Sequence, residues 1–251
     1  MSLIEYIVLF SSVVFGGSIA FFFNKNEDRF LSLLLSFSGA YILGITFLHL
    51  IPEAYAMSGQ QAGVYALVGF IIQLALEQLS KGVEHGHIHA LHHPRKSVVL
   101  SVMIGLCVHA FIEGMPLSGY EALQHHHHHH GHDHHHEGGF NHLLLGIILH
   151  KIPAAFALVL LLVVSKFQRN FILLCLFLFA AMSPLGAALA EVLQFTENQT
   201  AIALSVVIGS FFHIATTIIF ETGTDHKIPM LKLLAIIGGL FISFVTTNNI
   251  F

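Results

Sequence analysis

Two short stretches of apolar sequence carry side chains that bind cations. One reads Cys107-Val108-His109-Ala110-Phe111-Ile112-Glu113-Gly114-Met115-Pro116-Leu117. His109 and Glu113 are four apart, so on a helix they share one face. An imidazole nitrogen beside a carboxylate oxygen makes two good ligands for a borderline divalent metal. A plain hydrogen bond between helices is the blander reading. It loses because burying an anion for structure alone is costly. The other stretch reads His150-Lys151-Ile152-Pro153-Ala154-Ala155-Phe156-Ala157-Leu158. It repeats the order histidine, then proline. His150 would complete a His–Glu–His set with His109 and Glu113 as metal ligands. Lys151 cannot bind a metal as an ammonium, so its expected role is to pair with Glu113 or another buried carboxylate.

The chain holds 21 histidines, and most lie outside these stretches. One tract runs Glu84-His85-Gly86-His87-Ile88-His89, followed by His92 and His93. The denser tract is His125, His126, His127, His128, His129 and His130, then His132, Asp133, His134, His135, His136 and Glu137. The run of six resembles a purification tag, but its continuation into further His and acidic residues reads as a native metal-capturing tract. Such density attracts zinc, copper or nickel without fixed geometry. Capture or sensing is expected there, rather than transport.

The elements that must position these residues follow from composition. Of 251 residues, 55% are hydrophobic and only 10% charged, against about 25% charged in a soluble domain. Apolar segments fall at 3–23, 31–56, 62–80, 97–121, 140–164, 170–193, 199–220 and 229–248. About 20 apolar residues span a bilayer as a helix, and backbone in lipid must satisfy itself internally. The expectation is an all-α polytopic membrane protein, one transmembrane domain over 1–251 with eight spanning helices. The first segment is long for a signal sequence and lacks a basic start, so it reads as a retained helix. Cys107 and Cys175 lie inside apolar runs and read as small hydrophobes, not a disulfide framework.

Basic residues orient the bundle. Lys25 and Arg29 follow the first segment; Lys81, Arg95 and Lys96 the third; Lys166 and Arg169 the fifth; Lys227 and Lys232 flank the seventh connection. These alternate connections are expected to be cytoplasmic. Both termini and the loop at 122–139 are then extracytoplasmic, and the loop at 81–96 cytoplasmic. Lys151, the tenth basic residue, breaks the pattern, and an ionisable group inside a span is a functional candidate by default. Further polar residues in the segments are His49 and Glu53 around Pro52, Gln73 and Glu77, Ser183 beside Pro184, Glu191, and His213 with Glu221. His49, Glu53, Gln73, Glu77, Ser183 and His213 are candidate pathway residues. Glutamates near helix ends are more often interfacial than ligating.

At this point the chain resembles the ZIP (Zrt/Irt-like) family of metal transporters. His109 to Leu117 is similar to the family's fourth-helix signature, and His150 to Leu158 to its fifth. Thr46 to Ala54 resembles the second helix, Gly69-Phe70 with Leu76-Glu77-Gln78 the third, Met182 to Ala187 the sixth, and Gly209 to His213 the seventh. The resemblance implies eight helices, exterior termini and import of zinc, iron, manganese or a related cation toward the cytoplasm. It implies a transport site between the fourth and fifth helices, often with two metals. Lys151 and Ala154 stand where many members carry ligands, Ala110 where asparagine is common, and Ser183 where some carry glutamate. A His-Lys pair on the fifth helix resembles a eukaryotic subgroup. The expectation is a single site, with the Lys151 ammonium standing in for the second cation.

The reading is therefore a transporter, not an enzyme, of a divalent metal substrate, zinc foremost, with iron, manganese and cadmium as further candidates. It needs no organic cofactor and no nucleic acid. Its partners are the lipid bilayer and metal ions, in the plasma membrane, with a homodimer left open. No phosphate-binding loop is present to couple ATP. A metal sensor is the main alternative. A di-iron oxidase, suggested by His89-Ala90-Leu91-His92-His93, would need its histidine boxes on one side of the membrane, and here the tracts fall on opposite sides. A zinc protease would need His-Glu-x-x-His, and His136-Glu137 is followed by Gly138, Gly139 and Phe140.

Overall fold

In a computed structural model, the described residues are 1–23, 28–83, 96–120, 142–220 and 229–247. Both His-rich tracts, including His125 to His130, His132 to His136 and Glu137, lie outside them, as does Glu221. Among the described residues, eight helices are long and apolar enough to cross a membrane: α1 Leu3–Phe22, α2 Arg29–Ser58, α3 Gln60–Ser80, α4 Lys96–Tyr120, α5 His142–Val164, α6 Arg169–Val192, α7 Glu197–Phe220 and α8 Met230–Thr247. The described residues contain no strand. The chain is thus an all-α polytopic membrane protein.

The helices differ in how much surface they hide. α5 is the most enclosed, and Ala154 through Leu162 are all buried. It packs against α1, α2 and α6. Its sequence is apolar on every side, as a helix surrounded by other helices requires. α3 and α8 are the least enclosed and turn most of their surface outward, where Val64, Leu67, Ile71, Leu234, Ile237 and Phe241 are exposed. In water such a surface would be a liability; against acyl chains it is the expected finish.

Small residues set the closest crossings. A Cβ on Gly16 of α1 would run into the Ile152 carbonyl of α5. One on Gly114 of α4 would meet the Ser183 carbonyl of α6, and one on Gly186 the Phe111 carbonyl. With little hydrophobic drive between helices in lipid, such close backbone approach supplies the packing energy.

Prolines shape the helices locally. α2 changes from α to π pitch over Thr46–Leu50, then resumes as α-helix over Ile51–Ser58. Pro52 explains the change: it lacks an N–H and its ring crowds the carbonyl four residues back, so the turn widens. α4 is α-helical to Gly114, turns at Met115 and Pro116, and resumes over 117–120. Pro153 sits inside a continuous α5. At the opposite end of α7, Lys232 donates from Nζ to the Ile218 carbonyl at 3.1 Å, tying the start of α8 to the last turn of α7.

Candidate metal site

The central cluster gathers residues from four helices. His109 and Glu113 project from α4, with His109 Nε2 3.6 Å from Glu113 Oε2. Lys151 of α5 places Nζ 2.9 Å from the same Glu113 oxygen, and both side chains are only 1% exposed. The ammonium also lies 4.9 Å from the centre of the Phe179 ring of α6, a favourable cation–π distance. His150 sets its ring edge-on to His109, with centroids 5.9 Å apart. Ser210 of α7 has its hydroxyl 3.3 Å from His109 Nδ1.

These charges are buried, so their pairing decides whether the arrangement is tolerable. An ammonium and a carboxylate removed from water lose several kcal/mol each, roughly, and recover it only with close geometry. The 2.9 Å contact brings the two charges together, but Lys151 Nζ and Glu113 Oε2 are not aligned there as a hydrogen bond. Even so, Glu113 Oε1 and His150 Nδ1 are buried with no hydrogen-bond partner among the described residues. Buried acceptors are normally satisfied, and orphaned lone pairs beside a carboxylate and an imidazole suit a cation. Ligand spacing agrees. Two ligands held at zinc distances in a tetrahedral arrangement lie about 3.4 Å apart, close to the 3.6 Å between His109 Nε2 and Glu113 Oε2. Among the described residues, however, no three His, Cys, Asp or Glu side chains stand near enough to grip one ion together. In this conformation Glu113 is held by Lys151 instead of by a metal cage.

A second His–Glu pair lies on α2. His49 Nε2 is 3.8 Å from Glu53 Oε2, with the side chains 29% and 12% exposed. The His142 ring of α5 packs edge-on to His49, with centroids 4.6 Å apart. α5 thus offers a histidine to each pair, His142 to the α2 pair and His150 to the α4 pair. They are eight residues apart, a little over two turns and about 12 Å.

A third polar contact joins α3 to α7. His213 Nε2 is 2.6 Å from Glu77 Oε2, and the His213 ring lies edge-on to Phe70 at 4.9 Å. One turn nearer the centre, Ser210 donates to Gln73 Oε1 at 2.9 Å. The remaining sequence candidates do other work. Ser183 donates to the Ala110 carbonyl at 2.7 Å, bonding α6 to α4 beside the Gly114 crossing. Glu191 accepts from the Tyr6 hydroxyl at 2.7 Å, tying α6 to α1.

The structure therefore brings His109, Glu113, His150 and Lys151 together, and keeps His49 with Glu53 and Glu77 with His213 as separate pairs. Two residues at these places are not among the sequence candidates: His142 and Ser210. His142 was signalled only by its spacing from His150. Ser210, a serine three residues before His213, carries no signal until the α3–α4–α7 packing is known.

No family model matches the chain. Three similar proteins are zinc transporter ZIP9 of Micropogonias undulatus, 29% identical over 167 residues, or 61% of this chain and 49% of that one; zinc transporter ZIP9 of Xenopus tropicalis, 25% identical over 207 residues, or 73% and 63%; and zinc transporter ZIP9-B of Xenopus laevis, 27% identical over 186 residues, or 66% and 55%. The matched stretch is thus about half to just under two thirds of these relatives' own length. Several relatives of one name, eight spanning helices among the described residues, and helix motifs in the same order lead to one conclusion: the chain is similar to zinc transporters of the ZIP family.

Proposed function

We propose that this chain carries a divalent metal cation, zinc foremost, across a membrane toward the cytoplasm, with His109, Glu113 and His150 as the central ligands. The observation that carries the reading is the buried cluster itself. Two imidazoles and a carboxylate paired with an ammonium lie side by side in the interior of an apolar bundle, though not near enough in this conformation to grip one ion together. The names of the similar proteins support zinc as the substrate, as does the mixed nitrogen and oxygen donor set. Loop charge supports termini outside and the basic connections inside; the plasma membrane is proposed as the location.

The three polar levels suggest a route. With that orientation His49, Glu53 and His142 stand toward the outer face, the central cluster at mid-depth, and Glu77 with His213 toward the inner face. The tract at 125–137 would concentrate cations before entry. A cation reaching Glu113 displaces Lys151 Nζ from Oε2 or shares the carboxylate with it. Shared, the two cations stand about 5 Å apart and repel by roughly 3 kcal/mol per unit charge at an effective dielectric near 20. That penalty weakens binding and favours release. Lys151 would also replace the second metal that many family members hold. Movement of one helix group against another would then open the site inward.

The test is metal uptake into liposomes containing the purified chain. Time-dependent zinc accumulation that is lost in His109→Ala supports the reading. Full flux in His109→Ala would remove the central site from it. Zinc binding with no accumulation in the lumen would mark a sensor instead.

A further inference from the structure

We infer that Ser210 and Gln73 fix the tautomer of His109, placing its proton on Nδ1 and turning the Nε2 lone pair toward Glu113. The inference rests on the central site proposed above and adds two positioning residues to it.

The argument is one of hydrogen counting. A serine hydroxyl has one proton to give and two lone pairs to receive with. Ser210 Oγ donates to Gln73 Oε1 at 2.9 Å, so its proton is committed. It also lies 3.3 Å from His109 Nδ1. With the Gln73 amide oxygen toward Ser210, the hydroxyl accepts from His109 and Nδ1 carries the hydrogen. In a neutral imidazole the other nitrogen is then bare. That nitrogen, Nε2, faces Glu113 Oε2 at 3.6 Å. A histidine that ligates a metal commonly gives its other N–H to an oxygen, which sets both ring orientation and tautomer. Here the oxygen is a hydroxyl polarised by an amide.

Burial and backbone packing make the arrangement rigid. Gln73, Ser210 and His109 are 1%, 7% and 3% exposed, so water does not compete. α3 and α7 touch backbone to backbone one residue from Ser210: a Cβ on Gly209 would strike the Ala66 carbonyl, and one on Gly69 the Val206 carbonyl. These close crossings lie beside the Gln73–Ser210 bond. The direction of the Gln73 amide matters. Turned over, it would donate to Ser210, which would then give its proton to Nδ1. Nε2 would hold the ring hydrogen and be closed to a cation. A neutral imidazole in water prefers that Nε2–H form, so the Ser210–Gln73 bond has to reverse an intrinsic preference.

The first readout is nitrogen NMR of histidine-labelled, metal-free full-length chain in nanodiscs, with the His109 signal identified by its loss in His109→Gln. The expected result is the Nδ1–H tautomer. An Nε2–H signal would overturn the inference whether or not the chain transports zinc. The second readout is zinc affinity and uptake. Ser210→Ala should weaken apparent zinc affinity about tenfold, at the lower end of what loss of such a partner costs, and shift His109 to Nε2–H. Ser210→Thr, which keeps the hydroxyl, should restore both to near wild type. Ser210→Ala with unchanged tautomer and affinity overturns the inference while leaving the transport proposal standing. A wild type that shows Nδ1–H at His109 but moves no zinc would do the reverse.

Discussion

The chain writes the same spacing twice, His49-Leu50-Ile51-Pro52-Glu53 on α2 and His109-Ala110-Phe111-Ile112-Glu113 on α4, and the fold makes different objects of them. Both pairs sit just before or around a proline, and both receive a histidine from α5. In the α2 pair His49 lies on the π-helical turn and is 29% exposed, and Glu53 follows on the α-helix beyond it. The α4 pair is shut away at 4% and 1% exposure, with an ammonium on its carboxylate. Spacing alone therefore does not define a site. Depth decides how much the charges cost, and cross-helix partners decide whether that cost is met. An interaction near the surface is worth little, about 0–1 kcal/mol, while breaking one side of a buried pair costs about 3–5 kcal/mol.

That contrast can be broken first at Lys151. Lys151→Met should destabilise the metal-free chain by about 3–5 kcal/mol, read as a large drop in thermal midpoint in detergent. His49→Ala should cost under about 1 kcal/mol. The double variant Lys151→Met, Glu113→Gln should recover much of the loss, since no uncompensated charge remains. Equal effects at the two positions would refute the depth argument. Lys151→Glu serves the same comparison differently. It should raise zinc stoichiometry from one to two at the α4 pair and leave the α2 pair unaffected.

Transport should separate the pairs next. If His109 is a ligand as proposed, His109→Ala should reduce zinc uptake by about a hundredfold or more, beyond what loss of a supporting partner costs. His49→Ala should reduce it less than about tenfold. Comparable losses would mean that the α2 pair is as central as the α4 pair.

Packing gives a smaller effect. Gly114→Ala forces a methyl against the Ser183 carbonyl, for an expected cost of about 1–3 kcal/mol. It should disturb the central cluster, seen as weaker zinc affinity, because the Ser183–Ala110 bond lies at the same crossing. The smallest effect is that of pH. Protons and zinc compete for neutral imidazole, so uptake affinity should fall as the solution is made acid enough to protonate these histidines. Affinity that does not change with pH would argue against histidine ligation at either pair.

Much of this was legible in the residues. Apolar runs marked eight helices because lipid leaves the backbone no other solution. The His–Glu spacing placed both ligands of each pair on one helix face, because 3.6 residues make a turn. The rest depended on contacts between helices. Nothing local to His142 links it to His49, and nothing local to Ser210 links it to His109. The π turn at Thr46–Leu50 was also hidden. Pro52 announces a disturbance there, but whether a helix kinks, breaks or widens is settled by the neighbours it must fit. The observed second span also runs longer than its apolar core, Arg29–Ser58 against 31–56, because interfacial polar residues continue the helix past the hydrocarbon.

The bond between Lys151 and Glu113 has a history as well as a geometry. A ribosome adding about 5–20 residues per second makes Glu113 roughly 2–8 seconds before Lys151. For that interval α4 must settle near the membrane with its acid not yet matched by the base that will hold it. Lys151 is thus the late-arriving half of a pair, brought in by α5, the most enclosed helix, before α6 to α8 are made to cover it. Substitutions at Lys151 should therefore lower the yield of inserted chain even in cells where transport is never called upon.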